Sequence, residues 1–243
     1  MALRELMYDS QSYSISYEIL NKNREKTLVF LHGWGSNKEI MKQAFAKNLD
    51  EFCLIFLDLP GFGGSSVAKP MKTDDYANIV RLFLNSLHVE NFTAVGHSFG
   101  GKIGAILNPQ GLVLLSSAGI LVKKSSKVKT KIRVFKTFKS IVPKSFYRFF
   151  ASDDVSGMSQ VMYETLKNVV DEDFRDIFKK VTSKTLIFWG KEDSATPLSS
   201  GVEISRIIKE SSFYPLEGDH FFFIKNAKFI SDKIIKKDFN GNI

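Results

Sequence analysis

Short apolar runs recur along the first half of the chain, each followed by an amphipathic stretch. The runs are T-L-V-F-L-H at 27–32, C-L-I-F-L-D at 53–58, F-T-A-V-G at 92–96 and G-L-V-L-L-S at 111–116. Runs this short and this uniformly apolar suit strands covered on both faces, as parallel sheets require. Between them, Lys38–Leu49 has helical spacing, and so does the stretch from Thr73, with Ile79, Leu82, Phe83 and Leu87 on one face. Phe99–Leu107 predicts a shorter helix, stopped by Asn108-Pro109. Residues 11–20 set Tyr13, Ile15 and Tyr17 against Ser12, Ser14 and Ser16, which predicts a half-exposed or edge strand. The alternation lapses after Ser116 and resumes at Thr185 with T-L-I-F-W-G. Ser212–Leu216 reads as one more strand, and the C-terminal helix is expected to begin at His220. Strands alternating with helices specify an α/β fold, a mostly parallel, doubly wound sheet with helices on both faces. The interval 119–181 is then an insertion in a core built from 1–118 and 182–243.

Three of these strand ends carry chemistry. G-H-S-F-G, residues 96–100, follows an apolar strand and opens a helix, the context of a nucleophile elbow. The turn is sharp enough that glycines must flank Ser98, and it lifts the hydroxyl clear of the backbone. A serine hydroxyl needs a base, and the base an orienting acid. Of the four histidines, His220 sits in a loop after a strand at the same end of the sheet, in E-G-D-H-F. Asp193 ends T-L-I-F-W-G-K-E-D, again at that end. The order is Ser98, Asp193, His220. His97 is a rival base, but on the elbow its ring should point away from the hydroxyl. His88 belongs at the far end of the sheet. Glu192 and Asp219 are rival acids, and Asp219 is too near His220 along the chain to approach its ring well. Acyl transfer also needs donors for the developing oxyanion. Backbone N–H groups of Phe99 and of Trp34, in H-G-W-G at 32–35, are the candidates. His32 is expected to brace that loop. The rings of Trp34, Phe99 and Phe221 are expected to line an apolar acyl pocket.

Composition narrows the picture. The 243 residues are 44% hydrophobic, enough for one core. The single cysteine, Cys53, lies in an apolar strand and reads as a buried structural thiol. No metal-ligand spacing and no nucleotide-binding fingerprint is present, so no cofactor and no metal is expected. With neither a signal-like N-terminus nor a long apolar run, a cytoplasmic location is expected. The chain carries 34 basic and 26 acidic residues. Ten of the basic ones, and no acidic one, fall in 122–148, interleaved with Phe135, Phe138, Ile141 and Phe146. Three readings of that segment stay open: a solvated lysine face, a dock for an acidic partner such as an acyl carrier protein, and contact with an anionic membrane. No helix-turn-helix or RNA-binding motif accompanies it, so nucleic acid is not an expected partner. A monomer or a dimer is expected.

Taken together, H-G-W-G at 32–35, D-L-P-G-F-G-G-S at 58–65, G-H-S-F-G-G at 96–101 and the Asp193 and His220 loops resemble the α/β-hydrolase superfamily over nearly the whole chain. Within it, the first two motifs are similar to the carboxylesterases that demethylate a pimeloyl-carrier-protein methyl ester. The general layout is also similar to the meta-cleavage-product hydrolases, which typically show G-N-S-M-G at the elbow where this chain has G-H-S-F-G. The resemblance implies a serine hydrolase acting on an ester or thioester of an apolar acyl group, with 119–181 as a helical lid insertion over the active site. C–C bond hydrolysis of a 2-hydroxy-6-oxo-dienoate and a non-catalytic pocket remain as alternatives.

Overall fold

The computed structural model of the protein describes residues 2–121 and 158–237. The basic segment 122–148, with its phenylalanines, lies outside them. Eight strands form one sheet: β1 (Ala2–Tyr8), β2 (Gln11–Leu20), β3 (Thr27–Leu31), β4 (Cys53–Leu57), β5 (Thr93–His97), β6 (Gly111–Leu115), β7 (Lys184–Gly190) and β8 (Ser211–Leu216). Their order is β1-β2-β4-β3-β5-β6-β7-β8. β1 and β2 pair antiparallel, as do β2 and β4, and the other pairings are parallel.

The apolar runs alternate between two cores, as a period of two demands. On one face Val29, Leu31, Ile55, Leu57, Ala94, Leu112, Leu114, Ile187 and Trp189 meet α2 (Thr73–Ser86), α3 (Phe99–Leu107) and, further along the sheet, α6 (Leu198–Ile207). On the other, Leu28, Phe30, Leu54, Phe56, Val95, Val113, Leu115 and Phe188 meet α1 (Lys38–Phe45) and α7 (Ala227–Lys236). Phe30 is the centre of this second core, stacked on Phe56 at 4.5 Å and on Phe45 at 5.5 Å between ring centroids. Between β6 and β7 lie α4 (Gln160–Val169) and the short α5 (Arg175–Lys179). Among the described residues no helix is long and apolar enough to cross a membrane.

Two expectations change. Residues 11–20 form the half-exposed strand of the two readings, not the edge. β1 lies outside β2, joined to it by a two-residue turn in which Asp9 and Ser10 have φ of 48° and 58°. Two left-handed residues in succession make the turn whose twist suits a hairpin. Tyr13 and Ile15 are consequently fully buried. The C-terminal helix begins at Ala227, not His220, leaving 217–226 as a run of turns.

Candidate active site

β3, β5, β7 and β8 run parallel, so the loops leaving their C-terminal ends share one rim of the sheet, where ligands bind in open α/β sheets. The loop after β3 carries His32, Gly33 and Trp34. The loops after β5, β7 and β8 carry Ser98, Asp193 and His220.

Ser98 is the residue before α3, with φ 51° and ψ −110°. A non-glycine residue held there stores roughly 1–3 kcal/mol. The glycines are required by contact. A Cβ on Gly96 would lie 2.4 Å from the Gly100 carbonyl oxygen, and one on Gly100 would lie 2.1 Å from that of Leu31. The bend is pinned on both sides: Ser98 N–H donates to the Leu115 carbonyl at 3.0 Å, and the Ser98 carbonyl accepts from Ala118 N–H at 3.0 Å. Phe99 N–H, at the first position of α3, has no acceptor within the helix.

His220 and Asp193 meet as a buried pair, Nδ1 to Oδ2 at 2.8 Å. Asp193 is held by its own loop. Its Oδ1 accepts from the Ala195 and Thr196 amides, both at 2.8 Å, and its Oδ2 from the Thr196 hydroxyl at 2.9 Å. Burial alone would raise the Asp193 pKa. The hydrogen bond and charge of His220, with the Thr196 amide and the Ser116 hydroxyl, outweigh it and hold the carboxyl below its ordinary range.

The rival side chains have other partners. His97 Nε2 donates to the His220 carbonyl at 3.0 Å, with the two rings 4.6 Å apart. Burial, reinforced by neighbouring His220, pushes its pKa well below the ordinary histidine value, so it stays neutral and anchors the backbone of the His220 loop. Glu192 accepts from Gly218 N–H, and Asp219 from Phe221 N–H at 2.8 Å. His88 is exposed and ends α2 at φ 57°. His32 Nδ1 donates to the Gly33 carbonyl at 2.8 Å and its Nε2 accepts from Leu59 N–H at 3.0 Å, tying the H-G-W-G loop to D-L-P-G. Beside it, Asp58 is buried against Lys38, Oδ2 to Nζ at 2.7 Å.

Ser98, His220, Trp34 and Phe99 line one cleft of about 170 Å³, with Ala118, Ile120, Leu121, Leu166, Val169, Val170 and Thr196. Trp34 packs edge-on against Phe99 at 5.5 Å and against Phe62 at 4.9 Å. Phe221 is placed otherwise than expected. Phe221 packs on the rings of His97 and His220, outside the cleft lining, while Phe222 and Phe223 fill the core beneath α1 and α7. A stretch with no period-two or helical signal cannot reveal which way each ring turns.

The sequence reading also missed two charged residues in the cleft wall. Lys102, one turn into α3, is 2% exposed, and its Nζ donates to the Val169 carbonyl at 2.7 Å and to Glu172 Oε2 at 2.5 Å. Glu172, just after α4, also accepts from the Thr73 hydroxyl. The only signal of this was a lysine on the buried face of an otherwise apolar helix. Among the described residues no cluster of three or more His, Cys, Asp or Glu suited to a metal ion occurs.

Residues 26–111 match the family model described as alpha/beta hydrolase fold. The chain is 25% identical to the uncharacterized hydrolase YugF of Bacillus subtilis over 91% of this chain and 93% of that one. Among solved structures, a bacterial membrane phospholipase A superposes with a TM-score of 0.80 at 20% identity, over 96% of this chain and 84% of the other. The esterase EaEST from Exiguobacterium antarcticum superposes with a TM-score of 0.78 at 21% identity, over 92% and 94%. At such identities the structural likeness is one of fold. The strand order and the rim that gathers the loops are those of the α/β-hydrolase fold, which these structures share with the chain over nearly its whole length and which the family model matches over residues 26–111.

Proposed function

We propose that the protein is a serine hydrolase that cleaves a carboxylic ester or thioester through an acyl-enzyme. The observation that carries this reading is the buried Asp193–His220 pair opening onto the same cleft as Ser98. His220, its Nδ1–H given to Asp193, takes the Ser98 proton as the hydroxyl attacks the acyl carbonyl. Asp193 stays ionised and stabilises the imidazolium that forms. Backbone N–H groups of Phe99 and Trp34 hold the oxyanion, aided by the positive end of α3. His220 then protonates the leaving alcohol or thiol, and a water it deprotonates releases the acid. The apolar cleft favours the acyl chain over charged alternatives. α4 and α5 belong to a lid over this rim, which 119–181 would form. Its basic segment would attract an acidic carrier electrostatically, an effect that added salt would weaken.

Turnover of short-chain p-nitrophenyl esters tests the assignment. Ser98→Ala should lose turnover by a factor on the order of 10⁶, and a fluorophosphonate should label wild-type Ser98. Turnover undiminished in Ser98→Ala would refute the mechanism. Labelling without ester turnover, together with cleavage of a dienoate ring-fission product, would redirect it to C–C hydrolysis.

A further inference from the structure

Thr196 meets the Asp193–His220 pair through a single atom. Its Oγ1 lies 2.9 Å from Asp193 Oδ2 and 3.3 Å from His220 Nδ1, and with the 2.8 Å bond between those two the three atoms close a triangle. The Ser116 carbonyl is a third neighbour, at 3.2 Å. A threonine hydroxyl has one hydrogen to give. The shorter distance and the carboxylate charge direct it to Asp193 rather than to Ser116. Its lone pairs then remain for the Nδ1–H of His220, which has Asp193 as its main acceptor and Thr196 as a second. The loop holds this hydroxyl in place. Trp189, fully buried in β7, donates its indole N–H to the Thr196 carbonyl at 2.8 Å, and the Thr196 amide donates to Asp193 Oδ1 at 2.8 Å. Both loop amides that hold Asp193 go to Oδ1, whereas the Thr196 hydroxyl goes to Oδ2, the oxygen that orients the ring. Thr196 also lines the cleft together with Ser98 and His220.

Building on the serine-hydrolase reading, we propose that Thr196 is a positioning residue of this site, its hydroxyl fixing the His220 ring against Asp193. Rotation of the ring about its Cβ–Cγ bond breaks both contacts of Nδ1 at once, so the hydroxyl adds to the cost of every misdirected orientation. It touches the base and its acid, and its effect therefore falls on the chemical step rather than on substrate affinity.

Two substitutions test this. Thr196→Val keeps the branched shape and the backbone bonds but deletes the hydroxyl; Thr196→Ser keeps the hydroxyl. On p-nitrophenyl esters, Thr196→Val should lose about tenfold in kcat with KM unchanged, the lower end of what a hydrogen bond to a charged group contributes. Acylation and deacylation both use His220, so kcat falls whichever step is slower. The rate of fluorophosphonate labelling should fall by the same factor, and Thr196→Ser should restore both. A purely structural role would lower the melting temperature and leave kcat of the folded protein as it was. A further readout needs no turnover: in NMR of histidine-labelled protein, the His220 Nδ1 proton, assigned by its loss in His220→Ala, should exchange with water about tenfold faster in Thr196→Val than in the wild type. Thermal melting reports whether each variant is folded; if Thr196→Val is not, Thr196→Ala makes the same deletion with a smaller side chain. Wild-type kcat in the folded variant without the hydroxyl, a loss confined to KM, a loss that Thr196→Ser does not restore, or unchanged proton exchange would each overturn the proposal. Absence of fluorophosphonate labelling in the wild-type protein would instead count against the serine-hydrolase reading, with proton exchange still deciding the role of Thr196.

Discussion

At the scale of single residues, the candidate site depends on how well the base is oriented. Asp193 has its acceptor lone pairs filled by two backbone amides, the Thr196 hydroxyl and the His220 ring. Asp193→Asn keeps the volume and most of those contacts, but presents an amide that favours the wrong histidine tautomer. We expect kcat to fall by about 10³–10⁴ with little change in melting temperature, measured on the same esters. Ser98, Asp193 and His220 were legible because each motif sits at a strand end and the topology brings those ends together. His97, Lys102 and Glu172 were not legible in the same way. Their roles depend on which neighbour each side chain faces, and Glu172 reaches Lys102 from 70 residues away. Phe221–Phe223 show the same limit. Three identical residues in a row take different surroundings, because a run of turns rotates each to a new direction.

At the scale of elements, β3 to β7 were readable to within a residue or two, since both of their faces are buried and the apolar runs end where burial ends. Helix α3 was read with its full bounds, Phe99–Leu107, because the elbow starts it and Asn108-Pro109 stops it. Asn108 does more than stop the helix. It takes the left-handed conformation at φ 45°, and its side-chain oxygen accepts from Thr182 N–H at 2.9 Å and from the Ser183 hydroxyl at 3.0 Å. It thereby joins the end of α3 to the segment that leads into β7. Asn108→Gly preserves the backbone conformation and deletes these bonds; Asn108→Ala deletes both. We expect losses of about 1 and about 2 kcal/mol respectively in urea unfolding. A larger loss in the glycine variant than in the alanine variant would contradict this account. α1 was read too long at its C-terminal end because 46–49 continue the apolar spacing into a turn. β1 escaped notice because Arg4 and Glu5 interrupt its pattern, and only its hairpin with β2 defines it.

At the scale of the whole molecule, the buried titratable groups set how stability depends on pH. Burial pushes the His32 pKa down to about 4, and His97 is lowered too. The unfolded chain takes up protons on these rings below about pH 6.5, while the native protein does not. Their neutral native state therefore costs nothing above that pH, and stability falls as pH drops from about 6.5 toward 4, by roughly 3 kcal/mol from His32 alone. Asp58 and Asp193 act in the window below. Burial opposes ionisation of Asp58, but the Gly64 and Lys38 amides and the Lys38 ammonium hold its carboxyl below its usual range, and Asp193 is lowered likewise. Their stabilisation is present above the unfolded carboxylate pKa and is lost as pH falls through the native value. Urea midpoints between pH 7.5 and 4.5 should decline steadily from near 6.5. A flat profile would show that these rings are not neutral in the native protein.

The unfavourable backbone of Ser98 has a cost that the rest of the molecule must carry. Glycine at that position meets no penalty from its own Cβ, so a Ser98→Gly protein should be inert yet melt several degrees higher than the wild type. Such a chain would be a tougher body with nothing to do, and the difference between the two melting points would measure how much robustness the molecule gives up to keep one hydroxyl raised.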